Sequence, residues 1–316
     1  MKSSRHPYLA DAAVVLTCFL WGLNAVVSKN ALGDTPDSFR VFIFNGLRIP
    51  AASFLLFAAA KASGWTVGVR RRDVPLIAGV SFFGMFLFMM TFILGLSLTS
   101  AVNVGVINAS TPLFILFVSI LSGIERPSAR TVAGILVGFS GMLALTWHDG
   151  GIACNPGDIL ILLSCLCWAI YTVFGTRVLG VYNPVVATAW IYLLTSLFQL
   201  PFVAAQFPEQ SWTQVSAVNW LNLGISCVGS LFLANSLYYF SIDRIGPSRV
   251  GVYTNLTPVF TILLAAVIRG EHITLLQVGG LAVIISGIAV ANYSRMDVGM
   301  GERAISMHPP GEKPVS

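Results

Sequence analysis

The amino-acid sequence predicts an all-α membrane protein whose ten transmembrane helices form two inverted five-helix repeats. Three observations lead to this fold class. Of the 316 residues, 56% are hydrophobic and only 10% are charged, whereas a soluble domain carries roughly 25% charged residues. A stretch of about forty residues occurs twice in the chain. The lysine and arginine residues are concentrated at every second connection between apolar segments.

The internal repeat relates residues 104–142 to residues 250–288 at a shift of 146. About a dozen positions coincide, and they include Gly, Thr-Pro, Glu and Ser-Gly rather than only interchangeable aliphatic residues. Composition alone does not produce such matches, so we interpret the chain as a duplication. The first span of each half agrees, because Trp21 and Trp168 are related by a shift of 147.

Ten segments have the length of about 20 apolar residues that a transmembrane helix needs. Gly, Pro and charged residues mark the breaks between them. The connection at 97–101 is short and predicts that spans three and four are close antiparallel neighbours. The predicted spans are 9–32, 38–60, 74–97, 100–122, 130–147, 157–179, 184–206, 218–241, 248–268 and 274–293.

The distribution of basic residues orients the chain in the membrane. With the N-terminus in the cytoplasm, fourteen of the eighteen Lys and Arg residues are cytoplasmic, three are outside and Arg48 lies within a span. Both termini are therefore predicted to be cytoplasmic. Each half has an odd number of spans, so the second half enters the membrane from the opposite side, as in many secondary transporters. The predicted units are a cytoplasmic N-terminus (1–8), a first repeat (9–147), an extracytoplasmic linker (148–156), a second repeat (157–293) and a disordered cytoplasmic tail (294–316).

Several function classes have no support in the sequence. The five cysteines are scattered, and none has a histidine or a second cysteine at metal-ligand spacing. Neither a Gly-rich phosphate loop nor an HExxH motif occurs. The basic residues form no stripe of the kind that binds nucleic acid. We therefore expect no enzyme, no catalytic residue, no cofactor, no metal and no nucleic-acid partner. The expected partners are the lipid bilayer and a small-molecule substrate, and the sequence leaves a homodimer open.

Two prolines, Pro112 and Pro258, lie about eleven residues into their spans. A proline in a helix interior removes a backbone hydrogen bond, and the freed carbonyl is tolerated at membrane depth where protein or a watered cavity satisfies it. We predict that both act as hinges facing a central cavity; the alternative is a kink that only improves packing. The small or polar residues that share these faces are Gly105, Asn108, Thr254 and Asn255.

A second pair of faces combines aromatic rings with amide and hydroxyl groups, which suits an amphipathic solute. These predicted cavity residues are Trp21, Asn24 and Ser28 in the first half and Trp168, Tyr171 and Thr172 in the second. Both tryptophans are too deep for an interfacial aromatic belt. Tyr253 is a further candidate for the cavity wall and Asn235 a weaker one. Tyr238 and Tyr239, nearer the cytoplasmic end of span eight, are predicted to be belt residues.

Arg48 is the only cation well inside a span, and burying it costs at least about 2.5–3.5 kcal/mol. It is a candidate anion contact, although it could equally donate to carbonyls freed beside Pro50. Lys29, at the outer end of span one, is predicted to be solvated or to act at a gate. Glu125 and Glu271 occupy the same repeat position, where each is predicted to stabilise the N-terminus of the helix that follows it.

No Asp or Glu lies near the centre of any predicted span. Proton-coupled carriers usually need an acidic residue at that depth. The sequence therefore predicts facilitated diffusion or exchange rather than tight proton coupling.

The combination of motifs resembles the EamA family of the drug/metabolite transporter superfamily. Each half has a Thr-Pro span, then a conspicuous glutamate (Ile124-Glu125 and Gly270-Glu271), then a Gly-rich span closing in Ser-Gly, and each half begins with a tryptophan-bearing span. The resemblance covers roughly residues 9–293. It implies a transporter with a cavity lined by spans one, three, four, six, eight and nine. The short loops and the absence of organelle signals favour a bacterial inner membrane.

The expected cargo is a small neutral or zwitterionic metabolite such as an amino acid, moved outward by alternating access. A nucleotide-sugar or phosphate-ester carrier on the same fold is the first alternative, but it should present more than one buried cation. An intramembrane enzyme is the second alternative, and the sequence shows no nucleophile beside a histidine within a span.

Overall fold

The computed structural model describes residues 7–33, 35–123, 155–179, 181–245, 250 and 253–287, with scattered positions between 129 and 152. In these parts of the chain the helices are α1 (Pro7–Ala31), α2 (Val41–Ala62), α3 (Arg71–Leu98), α4 (Ala101–Asn108), α5 (Thr111–Leu121), α6 (Pro156–Leu179), α7 (Pro184–Gln206), α8 (Ala217–Ser241), α9 (Leu256–Arg269) and α10 (Leu275–Gly287). Two strands of two residues each, β1 (Trp147–His148) and β2 (Gly151–Ile152), pair antiparallel.

Six of the described helices are long and apolar enough to cross a membrane, and α4 with α5 makes a seventh if the pair is one bent span. The protein is therefore an integral, multi-pass membrane protein. The six are α1, α2, α3, α6, α7 and α8, at the positions of predicted spans one, two, three, six, seven and eight. Helices α9 and α10 are apolar but shorter. Most of the fifth predicted span (130–147) lies outside the described residues, and its last residue, Trp147, is in β1 rather than in a helix.

Predicted span four is broken rather than kinked. Ser100 caps α4, because its hydroxyl accepts a hydrogen bond from the backbone N–H of Asn103 at 3.0 Å. Helix α4 ends at Asn108, and α5 starts at Thr111 after a bend of 40°. Pro112 therefore lies in the first turn of α5, where its missing N–H would be unpaired in any case.

Pro258 likewise lies in the first turn of a helix, as the third residue of α9. The expectation that both prolines interrupt helix interiors is therefore wrong, since the chain breaks its helices just before each of them. The sequence located the two interruptions but placed each proline too far into its helix.

The short connection between α3 and α4 does not make these helices close neighbours. Helix α3 packs mainly on α6, whereas α4 packs on α9, α6 and α1. The prediction that spans three and four form a tight antiparallel pair is therefore wrong. The connection joins only their ends, and α6 is shared between them.

Helices α2 and α7, which the repeat relates to each other, pack together in antiparallel orientation. The rings of Phe42 and Phe202 have centroids 5.3 Å apart, and further along α2 the Ser53 hydroxyl donates to the carbonyl of Ala189 at 2.8 Å. Residue numbers thus rise along α2 as they fall along α7. Arg40, which precedes α2, forms an ion pair of 2.9 Å with Glu209, which follows α7.

A π-helical segment interrupts both α3 and α8. The segments are Val80–Phe86 and Ile225–Ala234, and a shift of 146 residues places the first within the second. π-Helical turns are rare and occur frequently at functional sites. The first segment brings α3 unusually close to α6, because a Cβ added at Gly84 would lie 2.8 Å from the Cα of Tyr171. Neither segment was predicted from the sequence.

Candidate functional site

An aromatic cluster lies where α1, α3, α6 and α8 meet. Trp21 is near the middle of α1, and its ring approaches that of Trp168 on α6 edge-on, with centroids 6.4 Å apart. Phe88 of α3 packs on Trp168 at 5.0 Å, and Tyr238 of α8 packs on Trp21 at 5.3 Å. Both tryptophans are only half-buried. The structure thus brings together the two tryptophans that the repeat relates.

A polar cluster lies one turn further along α1, centred on Asn24. The side-chain oxygen of Asn24 accepts hydrogen bonds from Ser226 Oγ at 2.6 Å, from Arg48 Nη1 at 3.1 Å and from Ser28 Oγ at 3.3 Å. Arg48 Nη1 also donates to Ser226 Oγ at 2.6 Å. These contacts join α1 and α2 of the first half to α8 of the second half.

Arg48 is 1% exposed, and its remaining contacts are also to neutral groups. Its Nε donates to Asn45 Oδ1 at 2.9 Å, and its guanidinium lies 5.0 Å from the ring centroid of Phe44. Its side-chain partners are amide and hydroxyl oxygens and the thioether sulfur of Met89, not the carbonyls freed beside Pro50 that the sequence offered as an alternative.

Several other predicted cavity residues use their polar groups within the protein. The Thr172 hydroxyl donates to the carbonyl of Trp168, one turn earlier on α6, at 2.8 Å. The Asn235 amide donates to the Tyr192 hydroxyl at 3.0 Å and to carbonyls of the π-helical segment of α8. Tyr171 is buried, with its ring 5.2 Å from that of Trp168. Of these three residues, Tyr171 packs its ring on the aromatic cluster, and among the described residues Thr172 bonds only to the backbone of Trp168.

The predicted face of α4 packs mainly against neighbouring helices. A Cβ added at Gly105 would lie 2.9 Å from a side-chain carbon of Ile262, so the glycine permits close contact between α4 and α9. Asn108 is half-buried, and its Oδ1 lies 3.5 Å from the Cys165 sulfur, which donates to it.

Predicted residues around the start of α9 are half-buried. The carbonyl of Tyr253 accepts from the Cys18 thiol at 3.2 Å, which ties this segment to α1. Asn255 occupies the N-cap position of α9 without a capping side-chain bond. Thr254 precedes it and is also half-buried. Tyr253 therefore lies beside α1, at the level of Cys18.

Two tyrosines lie in surroundings that differ from those predicted from the sequence. Tyr238 packs on Trp21, and the hydroxyl groups of Tyr239 and Thr188 are 3.1 Å apart. The expectation that Tyr238 and Tyr239 form an interfacial belt is therefore wrong. Ser226 was missed altogether, because a serine in an apolar segment carries no local signal of a partner 178 residues away in the sequence.

A second polar cluster lies at one end of the bundle. The carboxylate of Glu271 accepts from the backbone N–H groups of Ala101 and Val102 at 3.3 and 2.9 Å and pairs with Arg269 at 2.7 Å. The prediction that Glu271 stabilises the helix following it is therefore wrong, since the helix it caps is α4 of the other half. Glu125 lies outside the described residues. Lys29 donates to the carbonyl of Ser97 at 2.9 Å.

Comparison with known proteins gives a family match across both halves. The model of the EamA-like transporter family matches residues 8–147 and again residues 155–293. An uncharacterized transporter of Bacillus subtilis, YetK, is 25% identical over 299 residues, which cover 92% of this chain and 88% of that protein. An uncharacterized transporter of Archaeoglobus fulgidus is 26% identical, covering 89% of this chain and 98% of that protein.

Two further matches bear on location and fold. An uncharacterized inner membrane transporter of Escherichia coli K12, YedA, is 26% identical over 193 residues, covering 60% of this chain and 61% of that protein. A solved crystal structure superposes with a TM-score of 0.64 at 21% identity and covers 91% of this chain and 99% of that one. At this level of identity the superposition supports the fold alone.

Proposed function

The chain belongs to the EamA-like transporter family, and we propose that it moves a small neutral or zwitterionic metabolite, such as an amino acid, outward by alternating access. The observation that carries this proposal is the contact between Trp21 and Trp168 at 6.4 Å. The two residues come from corresponding helices of the two repeats, and both are half-buried near the meeting point of four helices. Secondary transporters built from inverted repeats bind their substrates at such a point.

The proposed architecture is two five-helix repeats of opposite orientation, ten helices in all. The antiparallel packing of α2 on α7 supports it, because these helices are related by the repeat. The packing of α3 on α6 has its counterpart in the packing of α8 on α1, since the repeat exchanges these pairs. The matched π-helical segments of α3 and α8 add local support. We place both termini in the cytoplasm of a bacterium, with the protein in its inner membrane.

Transport measurements in proteoliposomes test this proposal. Wild-type protein should carry at least one member of a panel of radiolabelled amino acids and related metabolites. Trp21→Ala and Trp168→Ala should each lower the flux by about tenfold or more, because each removes an apolar wall of the proposed cavity. Trp65→Ala is the matched control, since Trp65 lies outside the spans with 42% exposure and should leave the flux unchanged. Absence of any flux in wild type, or full flux in both cavity variants, would contradict the proposal.

We propose that this transport is facilitated diffusion or exchange, because no acidic residue lies near the centre of a span. The same proteoliposomes, loaded with a pH-sensitive dye, should show no substrate-driven acidification. Acidification that depends on a single carboxylate would contradict this part of the proposal.

A further inference from the structure

Arg48 is a fully enclosed cation whose neighbours do not balance its charge. Its Nη1 and Nε atoms donate to the neutral oxygens of Asn24, Asn45 and Ser226. In the part of the chain that the structure describes, no carboxylate lies within ion-pair distance of it. A buried charge without a partner costs several kcal/mol, so this arrangement favours the arrival of an anion.

The guanidinium also has donor capacity left over. Its Nη2 atom carries two N–H groups, and among the described residues its hydrogen-bond acceptor is the thioether sulfur of Met89 at 3.8 Å. A thioether is a weak acceptor. The amide nitrogen of Asn24 is a second donor at this point, and the described residues provide no acceptor for it.

We propose that Arg48 is the carboxylate-binding residue of the substrate site and that the substrate is a monocarboxylate with an apolar or aromatic body. The inference rests on the proposed transport function; it requires that the substrate carry a carboxylate, as an amino acid does, and it extends the substrate class to other monocarboxylates. A carboxylate matches the fork of an Arg guanidinium with two parallel hydrogen bonds. Trp21 lies one turn from Asn24 on α1, so the apolar body of the same molecule reaches the aromatic cluster.

The number of buried cations at the cluster indicates how much negative charge on a ligand the cluster can neutralise. Among the described residues Arg48 is the only buried Lys or Arg. A single guanidinium neutralises one carboxylate but not a phosphate ester, whose charge at pH 7 is about −1.5 to −2. The cluster therefore favours a monocarboxylate over a nucleotide sugar or a sugar phosphate.

Binding at Arg48 also has a consequence for the contact between the halves. A carboxylate that binds Nη1 and Nη2 competes with Asn24 and Ser226, whose oxygens now accept from Nη1 at 3.1 and 2.6 Å. Ser226 belongs to α8 of the second half, so the ligand competes for a hydrogen bond that joins the two halves. Recognition of the carboxylate is thereby linked to movement of α8 relative to α2.

Thermal unfolding of the full chain in detergent, with matched acids and amides as probes, tests the assignment. The pairs are phenylacetate and phenylacetamide, isovalerate and isovaleramide, and phenylalanine and its amide. At least one acid should raise the melting temperature of the wild type by about 2 °C or more, because a ligand that binds only the folded state stabilises it. Its amide should produce no such shift.

Three variants locate the effect. Arg48→Gln should abolish the shift, and Arg40→Gln should preserve it, because Arg40 is a partly exposed cation paired with Glu209 at the end of the bundle. Asn24→Asp should also abolish it, since an internal carboxylate then neutralises Arg48. This variant should melt at or above the wild-type temperature, so it decides the question if Arg48→Gln fails to fold.

Three results would overturn the assignment: no shift with any acid, equal shifts with acid and amide, or an acid shift that survives in Asn24→Asp. Loss of flux in the tryptophan variants addresses transport separately. A protein that transports solutes but shows one of these three results would keep its proposed function and lose the role assigned to Arg48.

Discussion

Glu271 joins the two halves of the molecule through backbone groups rather than through a side-chain partner alone. Its carboxylate accepts from the first two N–H groups of α4, where the helix dipole favours a negative charge. The sequence predicted that this acid would stabilise a helix N-terminus but assigned it to the wrong helix, the one that follows Glu271. The helix it caps begins 170 residues earlier in the chain.

Replacing Glu271 with alanine should lower stability by about 1 kcal/mol, because two N–H groups at the start of α4 lose their acceptor. Thermal unfolding of the purified protein in detergent measures this loss. Glu209→Ala is the matched control, since the side chain of Glu209 is 56% exposed and its ion pair with Arg40 contributes little. A Glu271→Ala protein that melts with the wild type would show that the cap does not contribute.

Arg48 marks the limit of what local sequence reveals about the site. A cation inside an apolar span is conspicuous, and so are two tryptophans related by the repeat. The oxygens that surround the cation are not conspicuous in the sequence, because Asn and Ser occur throughout the spans and Ser226 comes from the other half. Sequence therefore identified Trp21, Asn24, Ser28 and Arg48 as candidates, whereas their mutual contacts required coordinates.

The π-helical segments are a feature of helix geometry that the sequence did not reveal. Both segments have the apolar composition of an ordinary transmembrane helix. A π-turn leaves that composition and the apparent length of the span unchanged, so the sequence predicts regular α-helix. The break between α4 and α5 was easier to anticipate, because Pro112 cannot continue a regular hydrogen-bond ladder. What the sequence missed was that α4 ends three residues before the first residue of α5.

Gly84→Ala should destabilise the protein by about 1–3 kcal/mol, because the added methyl group meets the backbone of Tyr171 and α3 must move away from α6. The flux should fall with it, since Tyr171 and Trp168 are on the α6 segment that would be displaced. Gly79→Ala, five residues earlier in α3, is the control, as a Cβ there meets no atom within 4 Å. Equal melting temperatures for the two variants would contradict the close contact assigned to Gly84.

At the scale of the whole molecule, duplication and membrane insertion were readable from the sequence because they depend on composition and on spaced identities. The pairing of helices was not, as the wrong prediction for spans three and four shows. Packing depends on which faces meet, and an all-apolar span has no polar face to orient it. The antiparallel packing of α2 on α7 nevertheless agrees with the odd number of spans that was predicted for each half.

The measurement that tests the opposed orientation of the halves most directly is labelling of single cysteines from one side of the membrane. Ser63 follows α2 and Glu209 follows α7, and a shift of 146 residues relates them. Both positions are exposed. A Cys154→Ser background is suitable, because the other native cysteines, Cys18, Cys165, Cys167 and Cys227, are buried.

With a membrane-impermeant maleimide applied to intact cells, Glu209→Cys should be labelled, and Ser63→Cys should react only after the cells are permeabilised. Labelling of both cysteines in intact cells, or of neither until permeabilisation, would place equivalent ends of the two halves on the same side and contradict the inverted arrangement.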